Sequence, residues 1–263
     1  MQKDEKKKLR FVIVTQEDLF YIPEFLKRFL QAVDFERFSI PLVAVLPPFN
    51  ESFFSLLKRM YSFYGPLDFV QRGFLYVIAK FLDRLGLMRR SVRSIANWYN
   101  IPVKKVLDVN DPAFIDELRL MELDVILSVA APQIFREELL KTPKWGCINV
   151  HSAKLPKYRG MMPNFWAMYH GDSTAGITIH TMDEKIDRGK IILQSEIPIH
   201  PSESLDSLIK RSKRAAADLA IQALEQIRNG TVQLRDYAGE GSYFSFPKPE
   251  HVRELKARGH RLL

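Results

Sequence analysis

The chain has 263 residues, of which 46% are hydrophobic and 27% charged, so it can form one globular α/β domain with a short appendage. Its single cysteine excludes an intramolecular disulfide framework and a multi-thiolate zinc or iron–sulfur site, so a reducing, cytoplasmic setting is expected. The formal net charge of +8 favours anionic partners without choosing among them. No stretch approaches the roughly 20 apolar residues of a transmembrane helix, and the basic N-terminus does not lead into a secretory signal.

Short, branched apolar runs alternate with segments of helical spacing through the first 151 residues. Such runs are typical of strands that are buried on both faces. They predict strands over residues 9–14, 40–46, 101–106, 124–130 and 145–151. Helices are predicted over residues 18–33, 112–121 and 133–140. The alternation favours an α/β fold with a Rossmann-like, mostly parallel sheet and helices on both faces.

The second half of the chain has a different pattern, with two strand-like runs that we expect to pair near one edge of the sheet. Its predicted elements are strands over residues 176–182, 190–198 and 232–235 and helices over residues 204–228 and 249–258. Serines are present to cap the long helix, and Asn229-Gly230 is its expected stop. We therefore expect one catalytic domain over residues 1–230 and a short C-terminal extension over residues 231–263.

Residues 51–99 interrupt the alternation where a single crossover helix is expected, and they are long enough for two or three helices. From Lys58 to Arg93 this insert has eight Lys and Arg residues against two Asp, and it is rich in aromatic residues. Because aromatic residues at helical spacing usually belong to a core, we interpret the insert first as an enlarged helical layer on the sheet. A lid, a homodimer surface and a basic patch that contacts an anionic membrane surface are the alternatives.

The turn after the first predicted strand lacks the glycines that nucleotide binding needs. A dinucleotide site requires G-x-G-x-x-G there, so that backbone amides can approach a pyrophosphate at a helix N-terminus. The chain instead has Thr15-Gln16-Glu17-Asp18, and the P-loop pattern is also absent. Dinucleotide and ATP chemistry in their usual forms are therefore disfavoured.

The sequence GCINVHSAKLPKYRG over residues 146–160 is the richest in chemistry. Asn149 and His151 are two residues apart on a predicted strand, so their side chains point the same way at its carboxyl end. An amide donor beside an imidazole suits a reaction that builds negative charge on an oxygen atom. Lys157 and Arg159 can hold a phosphate or carboxylate nearby. Taken alone, the pattern also fits a structural histidine at a strand end.

The sequence GITIHTMDEKIDRG over residues 176–189 begins with an apolar predicted strand. An acidic loop comes next and ends in Asp187-Arg188-Gly189. Asp-x-Gly is common in ordinary turns. A carboxylate brought near His151 would, however, raise the proton affinity of the imidazole and fix its orientation. We expect His180 to be structural, and no histidine spacing in the chain predicts a metal site.

Together these two segments closely resemble the folate-dependent formyltransferase family, which includes methionyl-tRNA, glycinamide ribonucleotide and sugar N-formyltransferases. The family signature is N-x-H-x-x-x-L-P-x-[YFW]-x-G followed by G-[IV]-T-[IV]-H-x-[MV]-x-x-x-x-D-x-G. This chain carries both parts in order, from Asn149 to Gly160 and from Gly176 to Gly189. The resemblance is strong over residues 124–200, weaker over residues 9–46 and 101–123, and absent from residues 51–99.

The resemblance implies that 10-formyltetrahydrofolate is the formyl donor and that Asn149, His151 and Asp187 are the catalytic residues. Asn149 and a protonated His151 would stabilise the oxyanion that forms when an acceptor amine attacks the formyl carbon. Asp187 would keep His151 charged and help to relay the proton of the amine to the departing nitrogen N10.

The resemblance also implies an apolar folate slot beneath the loop after the fourth strand, completed by the loop that leads to Asp187. The implied folate-binding residues are Pro132, Gln133, Ile134, Phe135, Met182, Asp183, Glu184 and Ile186. The acceptor is expected near Thr15, Gln16, Arg159 and Gly160. Several relatives have glycine where this chain has Pro132.

The acceptor is less constrained than the reaction. The segment from Thr231 onward is too short for the C-terminal β-barrel with which methionyl-tRNA formyltransferases grip tRNA, so tRNA is disfavoured. Glycinamide ribonucleotide enzymes lack the aromatic insert. We expect a primary amine on a small, phosphorylated or nucleotide-linked sugar. The alternatives are a methionyl-tRNA formyltransferase-like enzyme without the barrel, a formyltetrahydrofolate hydrolase, and a non-catalytic protein that binds folate or a membrane surface.

Overall fold

The computed structural model describes residues 7–47 and 52–263, with the side chain of Phe53 excepted. Glu51, the first residue of the predicted insert, and the start of the predicted domain at residues 1–6 lie outside the described residues. Within these ranges the strands are β1 (Leu9–Gln16), β2 (Phe38–Ser39), β3 (Val43–Leu46), β4 (Val103–Lys105), β5 (Val125–Val129), β6 (Gly146–His151), β7 (Arg159–Gly160), β8 (Thr174–Thr181), β9 (Ile191–Pro198) and β10 (Tyr243–Phe244).

Helices stand between most of these strands, as the alternating sequence pattern predicts. In the same ranges they are α1 (Ile22–Ala32), α2 (Phe53–Tyr64), α3 (Pro66–Arg84), α4 (Val92–Trp98), α5 (Pro112–Leu120), α6 (Glu137–Leu140), α7 (Pro163–His170), α8 (Leu205–Asn229) and α9 (Pro249–Ala257).

The main sheet has the order β4-β3-β1-β5-β6-β8-β9, and β2 pairs with the start of β1. The five strands from β4 to β6 in this order are parallel, whereas β8 runs antiparallel to β6 and to β9. The order of connection reverses between β1 and β5, and at such a switch point open α/β sheets bind ligands beyond the carboxyl ends of the strands. The predicted mostly parallel α/β sheet, with an antiparallel pair at one edge, is confirmed.

Burial on both faces explains the unbroken apolar sequence of β1. Phe11 and Ile13 belong to the core cluster that contains α1 and α8, whereas Val12 and Val14 belong to the cluster that contains α5 and α6. The helix α8 packs on α1 and β8 and buries a row of small side chains against them. These buried residues are Ala216, Ala217, Ala220 and Ala223.

The ends of α8 follow the predicted signals. The Oγ of Ser204 accepts a hydrogen bond from the backbone N–H of Ser207 at 3.2 Å, which satisfies a free donor of the first turn. The helix stops at Gly230, whose φ of 67° is in the left-handed region that favours glycine.

Two predicted elements are shorter in the structure. The predicted strand over residues 40–46 begins at Val43, because Pro41 has no N–H to donate to a neighbouring strand. The predicted helix over residues 133–140 begins at Glu137, because the side chain of Gln133 is bonded to the backbone of the β4–α5 loop. The position and type of both elements agree with the prediction.

A third core cluster joins the insert to the C-terminal segment. Phe63 of α2, Phe165 of α7 and Leu255 of α9 are buried together in it. Residues 232–235 do not form the predicted strand. Arg235 is the only one of these four residues that pairs with a strand, through an isolated bridge to Ile191. Residues 231–263 therefore pack mainly through β10 and α9, and the division of the chain at residue 230 stays a prediction.

The described part of the insert forms three helices, α2 to α4, but they are not one layer packed on the sheet. The helix α4 does enter the core, with Val92, Ile95 and Ala96 buried in the cluster of α1 and α8. The apolar side chains of α3 are instead largely exposed, so the prediction that the aromatic stripe is core is wrong for this helix. None of the helices in the two described ranges combines the length and apolarity that crossing a bilayer needs.

The packing of α1 on α8 can be tested with Leu26, whose side chain is completely buried. We expect Leu26→Ala to lower the free energy of unfolding by about 2–5 kcal/mol, because it removes apolar contacts and leaves a cavity. Urea denaturation at neutral pH measures this change. The matched substitution Leu120→Ala, at a side chain that is 87% exposed, should change stability by less than about 0.5 kcal/mol. Equal effects at the two positions would contradict the described packing.

Candidate active site

Asn149 and His151 lie at the carboxyl end of β6. Their neighbours Ile148 and Val150 belong to the cluster of α1 and α8, so the alternation of the strand turns Asn149 and His151 towards the other face. His151 is buried and Asn149 is half-buried. The predicted placement of the pair on one face of a late strand is confirmed.

The antiparallel strand β8 brings a second histidine beside this pair, because His180 lies directly opposite Asn149. The Nδ1 of His180 is 2.8 Å from the carbonyl oxygen of Thr181, to which it donates, so Nε2 is left as an acceptor. The Nδ2 of Asn149 donates to this Nε2 at 3.3 Å. His180 is thus part of the polar cluster and not an isolated structural residue.

Asp187 returns to the same place from the loop after β8. Its Oδ1 lies 3.5 Å from Asn149 Nδ2, 3.6 Å from His151 Nδ1 and 3.6 Å from His180 Nε2. Its Oδ2 accepts a hydrogen bond from the backbone N–H of Gly160 at 2.9 Å. The three implied catalytic side chains and His180 therefore meet around one carboxylate oxygen.

Close backbone approach explains two glycines of the motifs. A Cβ atom on Gly160, which has a φ of +94°, would lie 2.4 Å from the carbonyl oxygen of Phe244. A Cβ atom on Gly189 would lie 1.6 Å from the carbonyl oxygen of Thr181. Asp187 itself has a φ of 51°, an unfavourable left-handed conformation for a residue with a side chain. The two glycines thus let the chain close tightly enough to aim the Asp187 carboxylate inward.

The segment after α8 supports the same loop. The hydroxyl of Tyr237 donates to the carbonyl oxygen of Asp187 at 3.2 Å. The Oγ of Ser242 accepts from the backbone N–H of Tyr158 at 2.8 Å, and the Tyr158 carbonyl oxygen lies 2.9 Å from His151 Nε2. Residues 237–242 therefore brace both His151 and Asp187, although they belong to the predicted C-terminal extension.

Hydrogen bonding determines which nitrogen of His151 carries the proton. The carbonyl oxygen of Tyr158 can only accept, so Nε2 is the donor and the neutral ring keeps its lone pair on Nδ1, facing Asp187. Burial lowers the pKa of His151, and the Asp187 carboxylate offsets only part of this effect. His151 is therefore neutral at neutral pH, which corrects the expectation that Asp187 keeps it charged in the free site.

Asp187 is ionised in this environment. Burial raises the pKa of its carboxyl group, but a proton on the neighbouring imidazoles and the backbone N–H of Gly160 favour the carboxylate more strongly and bring the pKa to about 2. A carboxylate held in this way stabilises any proton that reaches Nδ1 of His151.

Lys213 of α8 is a further buried charge at the site. Burial lowers the pKa of this lysine, and Asp18 partly opposes that change. The positive charge of Lys213 contributes in turn to the lowered pKa of His151.

The described site falls inside a region that matches a known sequence family. Residues 94–224 match the family model of formyl transferases, a range that contains Asn149, His151, His180 and Asp187. Over this range the chain belongs to the formyl transferase family. The expected family is thereby confirmed.

Two relatives illustrate the similarity in sequence. The methionyl-tRNA formyltransferase of Syntrophus aciditrophicus is 41% identical over 138 residues, which are 52% of this chain and 44% of that protein. The methionyl-tRNA formyltransferase of Fusobacterium nucleatum is 33% identical over 165 residues, which are 63% of this chain and 53% of that protein. The matched region thus spans about half the length of these relatives.

Two solved structures illustrate the similarity in fold. A sugar N-formyltransferase from a Shewanella species is 18% identical, with 95% of this chain and 87% of that chain covered and a TM-score of 0.59. A phosphoribosylglycinamide formyltransferase from Anaplasma phagocytophilum is also 18% identical, with coverages of 91% and 99% and a TM-score of 0.60. At this level of identity the likeness shows a shared fold.

The residues implied in folate binding occupy different environments. Ile134 and Ile186 are large apolar side chains that are 56% and 47% exposed, so they fit contact with a flat ring. Asp183 and Glu184 are exposed in the loop that leads to Asp187, and Pro132 is half-buried. These five residues stay predicted folate contacts.

The other three implied folate residues make contacts within the protein instead. Phe135 is buried in the cluster of α5 and α6, so its ring does not reach a ligand, which corrects its assignment. The Oε1 of Gln133 accepts from the N–H of Val109, and its Nε2 donates to the carbonyl oxygen of Leu107, both at 2.7 Å. Met182 packs against the same cluster as Phe135, and its backbone N–H donates to Cys147.

The implied acceptor residues divide in a similar way. Thr15 is completely buried and its hydroxyl donates to the carbonyl oxygen of Val129 at 2.8 Å, so its side chain joins β1 to β5 and is not an acceptor contact. Gln16 is half-buried at the end of β1. The Nε of Arg159 donates to the carbonyl oxygen of Ser242 at 3.4 Å, and the N–H of Gly160 holds Asp187.

Sequence reasoning gave His180 only a structural role and missed Lys213 and Tyr237. The register that places His180 opposite Asn149 cannot be read from either segment alone. The sequence does contain a sign of a buried Lys213, because this residue lies on the same side of the helix as the buried Ile209 and Ala217, where a lysine is unusual. It contains no such sign for Tyr237, since this residue lies in an irregular segment.

A cavity of ≈ 450 Å³ lies beside the site without including its polar cluster. It is lined by the turn after β6, including Ser152, Pro156 and Tyr158, and by residues 238–240. None of the four cluster residues lines this cavity, so we assign the chemistry from the convergence of the side chains and not from the cavity.

The pKa of Asp187 predicts how the stability of the protein depends on pH. Because the folded pKa of about 2 is below the unfolded value of 3.8, Asp187 stabilises the fold above pH 3.8, and this contribution disappears as the pH falls through 2. The loss is on the order of 2 kcal/mol in the wild type and should be absent in Asp187→Asn. Denaturation at a series of pH values measures it.

A matched control for this measurement is Asp236→Asn, because the side chain of Asp236 is 86% exposed. This variant should retain the acid dependence of the wild type. If Asp187→Asn instead lost stability with the same slope as the wild type, the carboxylate would not be held as described.

Proposed function

We propose that this chain transfers a formyl group from 10-formyltetrahydrofolate to a primary amine. The observation that carries the proposal is the meeting of the Asn149 amide and the His151 imidazole within 3.5–3.6 Å of one Asp187 oxygen. A hydrogen-bond donor, a neutral base and an ionised acid are the groups that acyl transfer to an amine needs. When bound, the donor would supply the formyl group on its nitrogen N10, and the exposed Ile134 and Ile186 fit contact with its ring.

Asn149 is the donor to the oxygen that gains negative charge. Its contacts with His180 Nε2 and Asp187 Oδ1 are long, at 3.3 and 3.5 Å, so an oxyanion competes well for its N–H groups. The pairing of β6 with β8 holds the amide in place before the substrate arrives. A preorganised donor of this kind contributes roughly 3–4 kcal/mol of transition-state stabilisation.

His151 moves the proton. As the amine nitrogen bonds to the formyl carbon it becomes positively charged, and the lone pair on His151 Nδ1 accepts its proton. The ionised Asp187, 3.6 Å away, stabilises the imidazolium that this step creates. The proton then passes from Nδ1 to N10 as the bond between the formyl carbon and N10 breaks, so His151 returns to its neutral form. The Tyr158 carbonyl accepts from Nε2 and so holds the ring with Nδ1 towards Asp187.

For the acceptor we propose an amine on a small phosphorylated or nucleotide-linked sugar. Residues 237–244 run beside the turn that carries Arg159 and Gly160, and this enclosure favours a small acceptor over a bulky one. The net charge of +8 favours one that is anionic. Methionyl-tRNA is the second candidate, because the relatives that are 41% and 33% identical are methionyl-tRNA formyltransferases.

The acceptor can be identified by measuring the release of tetrahydrofolate with different amines. We expect release that depends on an amino-sugar nucleotide, because the net charge of +8 favours an anionic amine and residues 237–244 favour a small one. Release with methionyl-tRNA alone would transfer the assignment to the second candidate. Release without any amine would indicate hydrolysis, and no release with any of them would contradict the proposed activity.

With the acceptor so identified, the catalytic residues can be tested by substitution. We expect His151→Ala and Asp187→Asn to lower kcat by roughly 10²–10⁴-fold, because proton transfer is lost. Asn149→Ala should lower it by roughly 10²–10³-fold, because the oxyanion loses its donor. Binding of the folate donor, followed by fluorescence, should change little, since none of the three is a predicted folate contact.

Two exposed residues provide matched controls for these substitutions. His200→Ala and Asp236→Asn replace the same residue types outside the polar cluster, and we expect turnover close to that of the wild type. Near-wild-type turnover in His151→Ala or Asp187→Asn would mean that the roles are misassigned.

A further inference from the structure

Helix α3 presents an apolar stripe to solvent. Leu67, Val70, Phe74, Val77 and Phe81 recur at alternating intervals of four and three residues, and each side chain is 60–85% exposed. Residues at this spacing lie along one side of a helix. Contiguous exposed apolar surface of this size marks an interaction site.

The opposite side of α3 attaches the helix to the rest of the protein. Arg72 is buried, donates to Asp206 at 2.8 Å and lies 3.5 Å above the centre of the Phe20 ring. At 100° per residue, Arg72 lies almost half a turn around the helix from the stripe. The stripe is therefore held facing outward, because turning it towards the core would break the ion pair of Arg72.

Other large apolar residues of the insert are also exposed, which are Phe54, Tyr61, Leu75, Tyr76, Ile78, Leu85, Leu87, Met88 and Trp98. Of these, Ile78 lies next to the stripe around α3. The stripe of α3 together with Ile78 is here named the docking face.

The docking face has a positively charged surrounding. Lys80 and Arg84 are exposed and lie alongside the stripe of α3. The two acidic residues of the segment have partners within the protein, since Asp68 pairs with Lys256 at 2.8 Å and Asp83 accepts from the backbone N–H of Ser91 at 2.9 Å. The cations around the docking face are therefore not neutralised by the acidic residues of the same segment.

We infer that the docking face binds the surface of a lipid bilayer that contains anionic lipids. The apolar stripe would enter the boundary between headgroups and acyl chains, while Lys80 and Arg84 contact lipid phosphates. A second copy of this chain fits less well, because its Lys80 and Arg84 would be brought against the same two cations of the first copy and would repel them. The helix α3 does not meet the requirements for crossing a bilayer, so it lies along the surface.

The side of α3 opposite the docking face lies next to the carboxyl edge of the sheet. The ring of Tyr76 on α3 lies 6.4 Å from that of Phe20, which follows the carboxyl end of β1. Because β1 and β6 are parallel within one sheet, Asn149 and His151 at the end of β6 lie at the same edge. Bilayer docking does not depend on the proposed formyl transfer, and the two can be tested apart.

Sedimentation with phospholipid vesicles tests the inference. We expect the full chain to bind phosphatidylcholine vesicles that contain phosphatidylglycerol much more tightly than vesicles of phosphatidylcholine alone, and to be released by salt. Phe74→Ser with Phe81→Ser should weaken binding about tenfold or more, because two apolar anchors are lost. Lys80→Gln with Arg84→Gln should weaken vesicle binding by roughly thirtyfold, because each lost charge contributes about fivefold.

Leu107→Ser with Leu120→Ser is the matched control, because both leucines are more than 80% exposed outside the insert. This variant should bind vesicles like the wild type, and circular dichroism should show that all variants remain folded. The inference would be overturned if the insert variants bound vesicles as tightly as the wild type, or if the wild type did not bind them. If the wild type instead formed a concentration-dependent dimer that Phe74→Ser with Phe81→Ser abolishes, the docking face would be assigned to a second copy of the chain.

Discussion

The charge of the buried Asp187 carboxylate is the constraint on which the site depends. A charge removed from water requires hydrogen-bond donors and partners in the protein. Here the N–H of Gly160 satisfies one carboxylate oxygen, while the amide of Asn149 and two imidazoles surround the other. These groups come from β6, β7 and β8, so three segments have to be held together before the carboxylate can be ionised at its low pKa.

The same arrangement sets the state of His151 before a substrate binds. Burial lowers the pKa of the imidazole and keeps it neutral, whereas the adjacent Asp187 stabilises the proton that it would receive. A base that begins uncharged and becomes charged beside an existing carboxylate gains most of its stabilisation when the proton arrives, which is the differential binding that catalysis requires. The site thus holds the negative partner in advance and receives the positive charge from the reaction.

The insert has opposite physical requirements on the two sides of one helix. On one side, Arg72 is buried against Asp206 and an aromatic ring, which fixes the orientation of α3. On the other side, phenylalanine, leucine and valine side chains are left in water, which is unfavourable unless another surface covers them. Because the fixed side determines where the exposed side points, the docking face is a property of the folded chain and not of a loose segment.

The sequence alone was sufficient to predict the mostly parallel α/β sheet and to single out Asn149, His151 and Asp187, because strand periodicity and the two motifs are local signals. It also correctly indicated the cap at Ser204 and the stop at Gly230. What the tertiary structure decided depends on contacts between distant segments. Cross-strand register placed His180 beside Asn149, and desolvation, which no local pattern records, made His151 neutral.

Packing likewise decided which apolar residues became core. The side chain of Phe135 is buried and that of Ile134 is exposed, although the two are adjacent and both were predicted to line one slot. In α3, helical spacing correctly predicted a helix with an apolar side, but spacing does not say whether another element covers that side. The sequence of a segment determines its amphipathic pattern, and only the remaining elements of the fold determine which surfaces they bury.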